Sequence, residues 1–360
     1  MPALAHDAAK RRTRGVTVVI PTVDREQSLE RALGAVAHAA CHLDEPVEAI
    51  VVDDRPASDT AERPAAWSVD GLSVRRLRTA SAAAKGPAAA RNLGVAHAAH
   101  DLIAFTDDDA RCDQWWLSVA VATLRADPSL AGVEGAVHLD EAHPVDPVRS
   151  RLVVNLTGGA YLTASLFARA AAVEAVGGFR RLRTDGDRWA LPYREDSDLA
   201  LRLIAHVGPV PFLPAAFVLH PAEAIDLRRL VSLAGYFVVD GAYLRLHPAA
   251  ERPLWRRPLA RLRIRLATAE ALLLGGLAPR RTRCVTAIGL LGIGLALSLQ
   301  FELELRAAGR RRALRAAAPD VLRRLPRSLL WGGVAGAARV RGELAVRLGF
   351  ARLPGDAGTP

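Results

Sequence analysis

A chain of 360 residues, 51% apolar and 24% charged, can bury a substantial core and is long enough for one large domain plus an appendage. Its three cysteines, Cys41, Cys112 and Cys284, show no paired spacing, which excludes a disulfide framework or a cysteine-built zinc site and points to a reducing compartment. The net charge of +10 is unevenly spread: from Glu251 onward 21 arginines face 7 acidic residues, a surplus of 14 that leaves residues 1–250 at −4.

In chain order, residues 1–15 are a short basic tail. No apolar core follows its arginines before Gly15 opens a strand pattern, so it is not read as a signal peptide. Val16 to Ile20 is a β-branched run ended by Pro21, and Glu26 to Ala40 follows with Leu29, Leu33 and Val36 at helical spacing. Val47 to Val52 is a second strand stopped by Asp53 and Asp54. Leu72 to Leu77 is a weaker third strand, and Gly86 and Pro87 open a helix to Ala98. Leu102 to Phe105 is a fourth apolar strand that delivers Asp107, Asp108 and Asp109 onto the following loop. Strands alternating with helices predict a mostly parallel sheet covered on both faces, with ligands beyond the carboxyl ends of its strands. Pro21 to Arg25, Asp53 to Arg55 and Asp107 to Asp109 all follow strand ends.

Three adjacent carboxylates repel one another, and in isolation they read most simply as a solvated acidic turn. The other reading is a divalent cation, which prefers hard oxygen ligands and cancels the repulsion, shared with a nucleotide diphosphate. Further on, YREDSDLALRL places Glu195, Asp196 and Asp198 in the first turn of a helix whose apolar face carries Leu199 and Leu203. Carboxylates favour helix N-termini on dipole grounds alone, so this pattern is not by itself catalytic.

Taken together, VTVVIPTVDR, AIVVDDRPASDT, GPAAARNLGVAHA, DLIAFTDDDA, GGF and REDSDLALRL, in this order, resemble the inverting family 2 glycosyltransferases of the GT-A fold. The resemblance covers roughly Val16 to His220. It implies a GT-A catalytic domain over 16–225, a mostly parallel sheet flanked by helices, and leaves 226–360 as a basic, helical, membrane-associated extension. It also implies that Pro21, Thr22, Arg25 and Asp54, with Asp53 as neighbour, hold the nucleobase and ribose of a nucleotide-diphospho-sugar donor. The family's DxD motif falls on Asp107 and Asp109, which would hold ribose and a divalent metal cation, Mg²⁺ or Mn²⁺, with Asp108 between them facing the donor. Lys85, Arg91 and Asn92 fall in the segment that lines the nucleotide pocket. Asp24 stands where the family usually has Asn. Asp196 matches the general base, and Glu195 an acceptor contact. Gly158 and Gly159 correspond to a glycine segment beside donor sugar and acceptor, or are simply a tight turn. Gly177, Gly178 and Phe179 match a structural turn before an acceptor loop, and Leu182 to Leu191 reads as a loop able to close over substrate. His220 is placed like the metal-ligating histidine of some metal-dependent relatives, although a histidine before proline is ordinarily a turn residue.

The tail has its own pattern. Val285 to Leu299 is apolar or small throughout, yet shorter than the ~20 residues a span needs, and it is flanked by Arg280, Arg281 and Arg283 before and Arg306 and Arg310 to Arg312 after. We expect helices lying in the interface, or a shallow hairpin with Leu266 to Ala278, on the cytoplasmic face of the membrane. A soluble arginine-rich helical domain is the plainer alternative. Nucleic-acid binding ranks low, because no aromatics interleave with the charge. The resemblance therefore implies transfer of a sugar to a glycan or lipid-linked acceptor hydroxyl. The alternatives are a non-catalytic nucleotide-binding or scaffold protein on the same fold, and a sugar nucleotidyltransferase. The last would need a glycine- and arginine-rich loop after the first strand, where PTVDRE stands.

Overall fold

The computed structural model describes residues 12–55, 65–79, 86–143, 145–146, 150–180, 194–225, 243, 247, 292–299 and 319–330. Lys85, the Leu182 to Leu191 loop, Cys284 and the Leu266 to Ala278 arm of the expected hairpin lie outside them.

The elements run β1 (Thr13–Thr22), α1 (Glu26–Ala40), β2 (Val47–Asp53), β3 (Ala66–Val69), β4 (Leu72–Arg78), α2 (Pro87–His97), β5 (His100–Phe105), β6 (Arg111–Cys112), α3 (Trp116–Ala126) and β7 (Gly132–Leu139). They continue through β8 (Ser150–Arg151), β9 (Leu166–Arg169), α4 (Ala170–Ala175), α5 (Glu195–His206), β10 (Phe212–His220) and β11 (Glu223–Ala224). The main sheet has nine strands in the order β3-β4-β2-β1-β5-β9-β7-β10-β6. Its heart, β4-β2-β1-β5, is parallel, as the alternation of strands and helices predicts. Antiparallel pairing flanks this heart: β3 on β4, and β9 inserted between β5 and β7. The architecture is therefore mixed α/β around a parallel centre.

The core follows from sequence pattern. Val16, Val18, Val19 and Ile20 in β1, and Leu102 to Phe105 in β5, are fully buried because strands covered on both faces need apolar residues throughout. Leu29, Leu33 and Val36 recur on one face of α1 and are 1% exposed. At Gly94 in α2 an added Cβ would collide with Val19 Cγ1, so the missing side chain sets how closely α2 approaches β1.

The chain divides into two compact units. The first comprises residues 1–136, 161–179 and 202–218 and contains the parallel centre of the sheet. The second comprises 137–160, 180–201 and 219–360 and contains the β8–β11 ladder and the first two turns of α5. Within the second, residues 292–299 and 319–330 are helical and pack closely: a Cβ on Gly294 would sit 2.6 Å from Leu325 Cδ1, and Ser298 and Ser328 share a 2.9 Å hydroxyl hydrogen bond. The end of the apolar run thus pairs with 319–330. Among the described residues no helix is long and apolar enough to cross a membrane.

Candidate active site

In the first unit, three strands of the parallel centre deliver polar groups at their carboxyl ends. β5 ends at Phe105, and the turn closed by the Ala110 N–H on the Asp107 carbonyl at 3.2 Å presents the three aspartates differently. Asp108 is buried, 5% exposed, and accepts from Thr22 Oγ1 at 2.6 Å and Arg25 Nη1 at 3.2 Å. Burial pushes its carboxyl up from the ordinary 3.8, against the Thr22 hydrogen bond and the Arg25 charge, while the charges of Asp109 and Asp107 add to the rise. Asp109 accepts from Arg25 Nη1 at 2.7 Å, and Asp107 from Arg91 Nη2 at 3.1 Å. The Thr22, Arg25, Arg91 and DDD assignments therefore meet in one cluster. Asp24, where the family usually has Asn, sits at a left-handed φ of 53°, a conformation that Asn and Asp both tolerate. It brings Arg25 to the head of α1 immediately after the strand.

β2 delivers two unlike carboxylates. Asp53 is 1% exposed and accepts from the backbone N–H and Nε of Arg55, itself 3% exposed. Asp54 accepts from Thr79 Oγ1 at 2.7 Å and the Gly86 N–H at 2.8 Å, which ties the end of β2 to the head of α2. Asn92 grips backbone: its Nδ2 donates to the Phe179 carbonyl and its Oδ1 accepts from the Phe179 N–H, both at 2.8 Å. Gly178 is tight against that amide, since a Cβ there would lie 2.6 Å from Asn92 Oδ1. Phe179 in turn lies under the Arg91 guanidinium, 5.8 Å from the ring centre. Thr79 was not read from the sequence, Arg55 only as part of a strand-end segment and Phe179 only as part of a structural turn. The spacing Asp53-x-Arg55 was a usable signal, because an aspartate readily bonds the backbone two residues on.

The chemistry of the donor set bears on a cation. Asp107 and Asp109 offer hard oxygens on side chains 28% and 24% exposed, and two guanidinium groups already supply positive charge there. Such a set suits Mg²⁺ or Mn²⁺ in place of the contact between Asp109 and Arg25, whose side chain is 54% exposed. Among the described residues no three His, Cys, Asp or Glu side chains converge as a ready metal cage.

The second unit holds the other constellation. Arg194 enters α5 at a left-handed φ of 67°. Glu195 is buried at 6% exposed, and Asp196 Oδ1 accepts from the Ser197 N–H at 2.7 Å. Ser197 Oγ donates to the Ala160 carbonyl at 3.0 Å, bringing the glycine segment beside the first turn of α5. Gly158 and Gly159 have φ of 74° and 78°, so this segment is a left-handed turn that glycine suits. Asp198 is fully buried and paired with Arg180. His220 lies in this unit with Nδ1 2.8 Å from the Pro221 carbonyl, so Nδ1 carries the hydrogen and Nε2 is the nitrogen able to ligate. Asn155, in the sequon Asn155-Leu156-Thr157, is 1% exposed and bridges Val137 through its backbone.

A parallel α/β centre gathers carboxylates and guanidinium groups beyond its strand ends, the edge at which sheets of this kind bind ligands. Residues 17–160 match the family described as Glycosyl transferase family 2. Over 260 residues it is 28% identical to the pre-mycofactocin glycosyltransferase of Mycobacterium tuberculosis, covering 67% of this chain and 50% of that protein. The chain thus spans about half the length of the curated relatives it matches. Among solved structures it is similar to the mannosyltransferase PcManGT from Pyrobaculum calidifontis in complex with GDP-Man and Mn²⁺, with a TM-score of 0.44, 19% identity, and 93% of this chain and 87% of that chain covered. It is also similar to S. aureus TarS 1–349, with a TM-score of 0.46, 14% identity, and 96% and 98% covered.

Proposed function

We propose that the chain transfers a sugar from a nucleotide-diphosphate donor to an acceptor hydroxyl with inversion at the anomeric carbon. The observation that carries this reading is the meeting of Thr22, Arg25, Arg91 and Asp107 to Asp109 at the carboxyl ends of neighbouring parallel strands, within a matched glycosyltransferase segment. In it, Pro21, Thr22, Arg25 and Asp54 hold base and ribose, with Asp107, Asp108, Arg91 and Lys85 along the donor. Asn92 acts by fixing the Phe179 backbone beneath Arg91. Asp109 and Asp107 would hold Mg²⁺ or Mn²⁺, which when bound neutralises charge on the leaving diphosphate. Asp196 takes the proton of the acceptor hydroxyl as its oxygen bonds to the anomeric carbon. The bond to the diphosphate oxygen breaks on the opposite face, and its electron pair leaves with the diphosphate. Glu195 contacts the acceptor.

The arginine-rich C-terminal third is read as an anchor on anionic lipid headgroups, suited to a lipid-linked acceptor. Its support is the charge surplus together with Leu299, Leu322 and Leu330, which are 43%, 61% and 39% exposed.

Thermal melting of the full chain with UDP or GDP, with and without Mn²⁺ or Mg²⁺, tests the donor site, because a ligand that binds the native state raises its melting temperature. A rise with at least one diphosphate that requires the cation is expected. No rise with either diphosphate under any cation refutes the reading.

A further inference from the structure

The first turn of α5 is gripped by two residues, Tyr243 and His247, that belong to no sequence motif. Asp198 is 0% exposed, and a buried carboxylate persists only if it is neutralised and hydrogen-bonded. Arg180 supplies two bonds, from Nη2 at 2.6 Å and Nε at 3.1 Å. The third comes from His247 Nε2 at 2.8 Å, and since a carboxylate only accepts, that nitrogen carries hydrogen. The His247 N–H donates to the Tyr243 carbonyl at 3.0 Å, which ties the two residues together. Their rings are 5.3 Å apart.

Tyr243, 2% exposed, reaches the same turn of α5 at other points. The Arg194 guanidinium lies 5.5 Å from its ring centre, and Ser197 is among the side chains that act on its phenol. Burial pushes that phenol well up from its ordinary value, which keeps it neutral beside Asp196 and Asp198. Arg194, Ser197 and Asp198 are therefore each met by Tyr243 or His247, and Asp196 lies among them. All of these residues belong to the second unit, and none falls in the matched segment 17–160.

We propose that Tyr243 and His247 are positioning residues: through Ser197 and Asp198 they fix the first turn of α5, and with it the carboxylates of Glu195 and Asp196. Their service to transfer rests on the reading of Asp196 as the base, whereas the grip itself stands on the contacts above. Placement within about 1 Å governs how well a base meets its proton, and misplacement of that size costs on the order of 100-fold in rate.

Hydrogen exchange on the full chain reads the grip directly. His247→Ala is expected to speed exchange of the amides in 195–201 by about tenfold while sparing the parallel sheet, as expected for a local opening. His247→Gln, whose amide still donates to Asp198, restores protection. Tyr243→Phe, which keeps the ring and loses the hydroxyl, gives a smaller increase in the same peptide. In hydrolysis of UDP-glucose, UDP-N-acetylglucosamine or GDP-mannose, with water standing in for the acceptor, His247→Ala lowers kcat roughly 10- to 100-fold at unchanged donor KM. Unaltered exchange at 195–201 in His247→Ala overturns the proposal. So does a loss that Gln does not rescue, or one accompanied by faster exchange across the whole chain, since either marks a merely structural histidine. Asp196→Asn run in parallel separates the two readings: full turnover in that variant removes the base assignment, while exchange at 195–201 still decides the grip.

Discussion

Single charges are the units in which the donor and base assignments can be tested. Asp196→Asn keeps the size of the side chain and an oxygen for the Ser197 N–H, so melting and nucleotide binding should hold while turnover falls about 100- to 10,000-fold. Nucleotide release from a donor sugar measures this, and turnover at the wild-type rate would move attention to another carboxylate. Asp109→Ala removes a ligand oxygen and the partner of Arg25, and calorimetry should then find nucleotide affinity the same with and without Mn²⁺. A cation-dependent affinity that survives the substitution contradicts the metal assignment. The aspartates were legible because each follows an apolar strand, and the strand fixes where its end points. Other roles were not legible. Asn92 carries the residue type of a nucleotide contact, yet its amide is bonded to backbone 87 residues away. Asp198 acquires a histidine from 49 residues further along, a pairing that no local pattern announces. In a chain with so many arginines, which guanidinium meets which carboxylate is decided by the fold.

Among the elements, Glu48 on β2 joins more neighbours than its position suggests. It accepts from Thr17 of β1, from Arg75 of β4 and from the Ala99 N–H ahead of β5. Burial alone would raise its carboxyl, but the Ala99, Thr17 and Arg75 bonds together hold it below the ordinary 4.5. A depressed carboxylate contributes stability above its unfolded pKa and loses it as pH falls through the folded one. Glu48→Gln should therefore destabilise by about 1–3 kcal/mol at pH 7, with the gap to wild type closing as the pH falls below about 4.5. Denaturant titration at neutral and acid pH checks this, and a gap independent of pH would assign the effect to shape. Gly94→Ala should also destabilise, by roughly 1–3 kcal/mol, as its methyl meets Val19. The helix α1 was readable to its ends, because Leu29, Leu33 and Val36 mark the period, although the strand before it runs through Pro21 to Thr22, with Pro21 paired opposite Val52 in the parallel ladder. The hairpin strand β3 was not, since four residues of mixed polarity carry too little pattern. Nor was the placement of β9 between β5 and β7, because strand order beyond a βαβ unit depends on contacts distant in sequence.

At the scale of the molecule, charge separates a −4 body from a +14 C-terminal third. Each arginine near an anionic surface contributes about 1 kcal/mol, so a few engaged together with modest apolar insertion suffice for docking. Sedimentation with phosphatidylserine vesicles should show binding at low salt and release at high salt, because screening acts over roughly 8 Å at physiological ionic strength. No binding at low salt would reject the anchor, and retention in both high salt and alkali would indicate insertion in place of docking. The order of strands also has a consequence during synthesis. β7 pairs with β9 on one side and β10 on the other, yet β10 begins at Phe212, long after β7 ends at Leu139. A ribosome adding about 5–20 residues per second leaves that edge uncovered for several seconds after β7 is made. During this interval the nascent chain presents an apolar strand edge to its surroundings, and a chaperone able to mask it would raise the yield of folded protein without altering the finished fold.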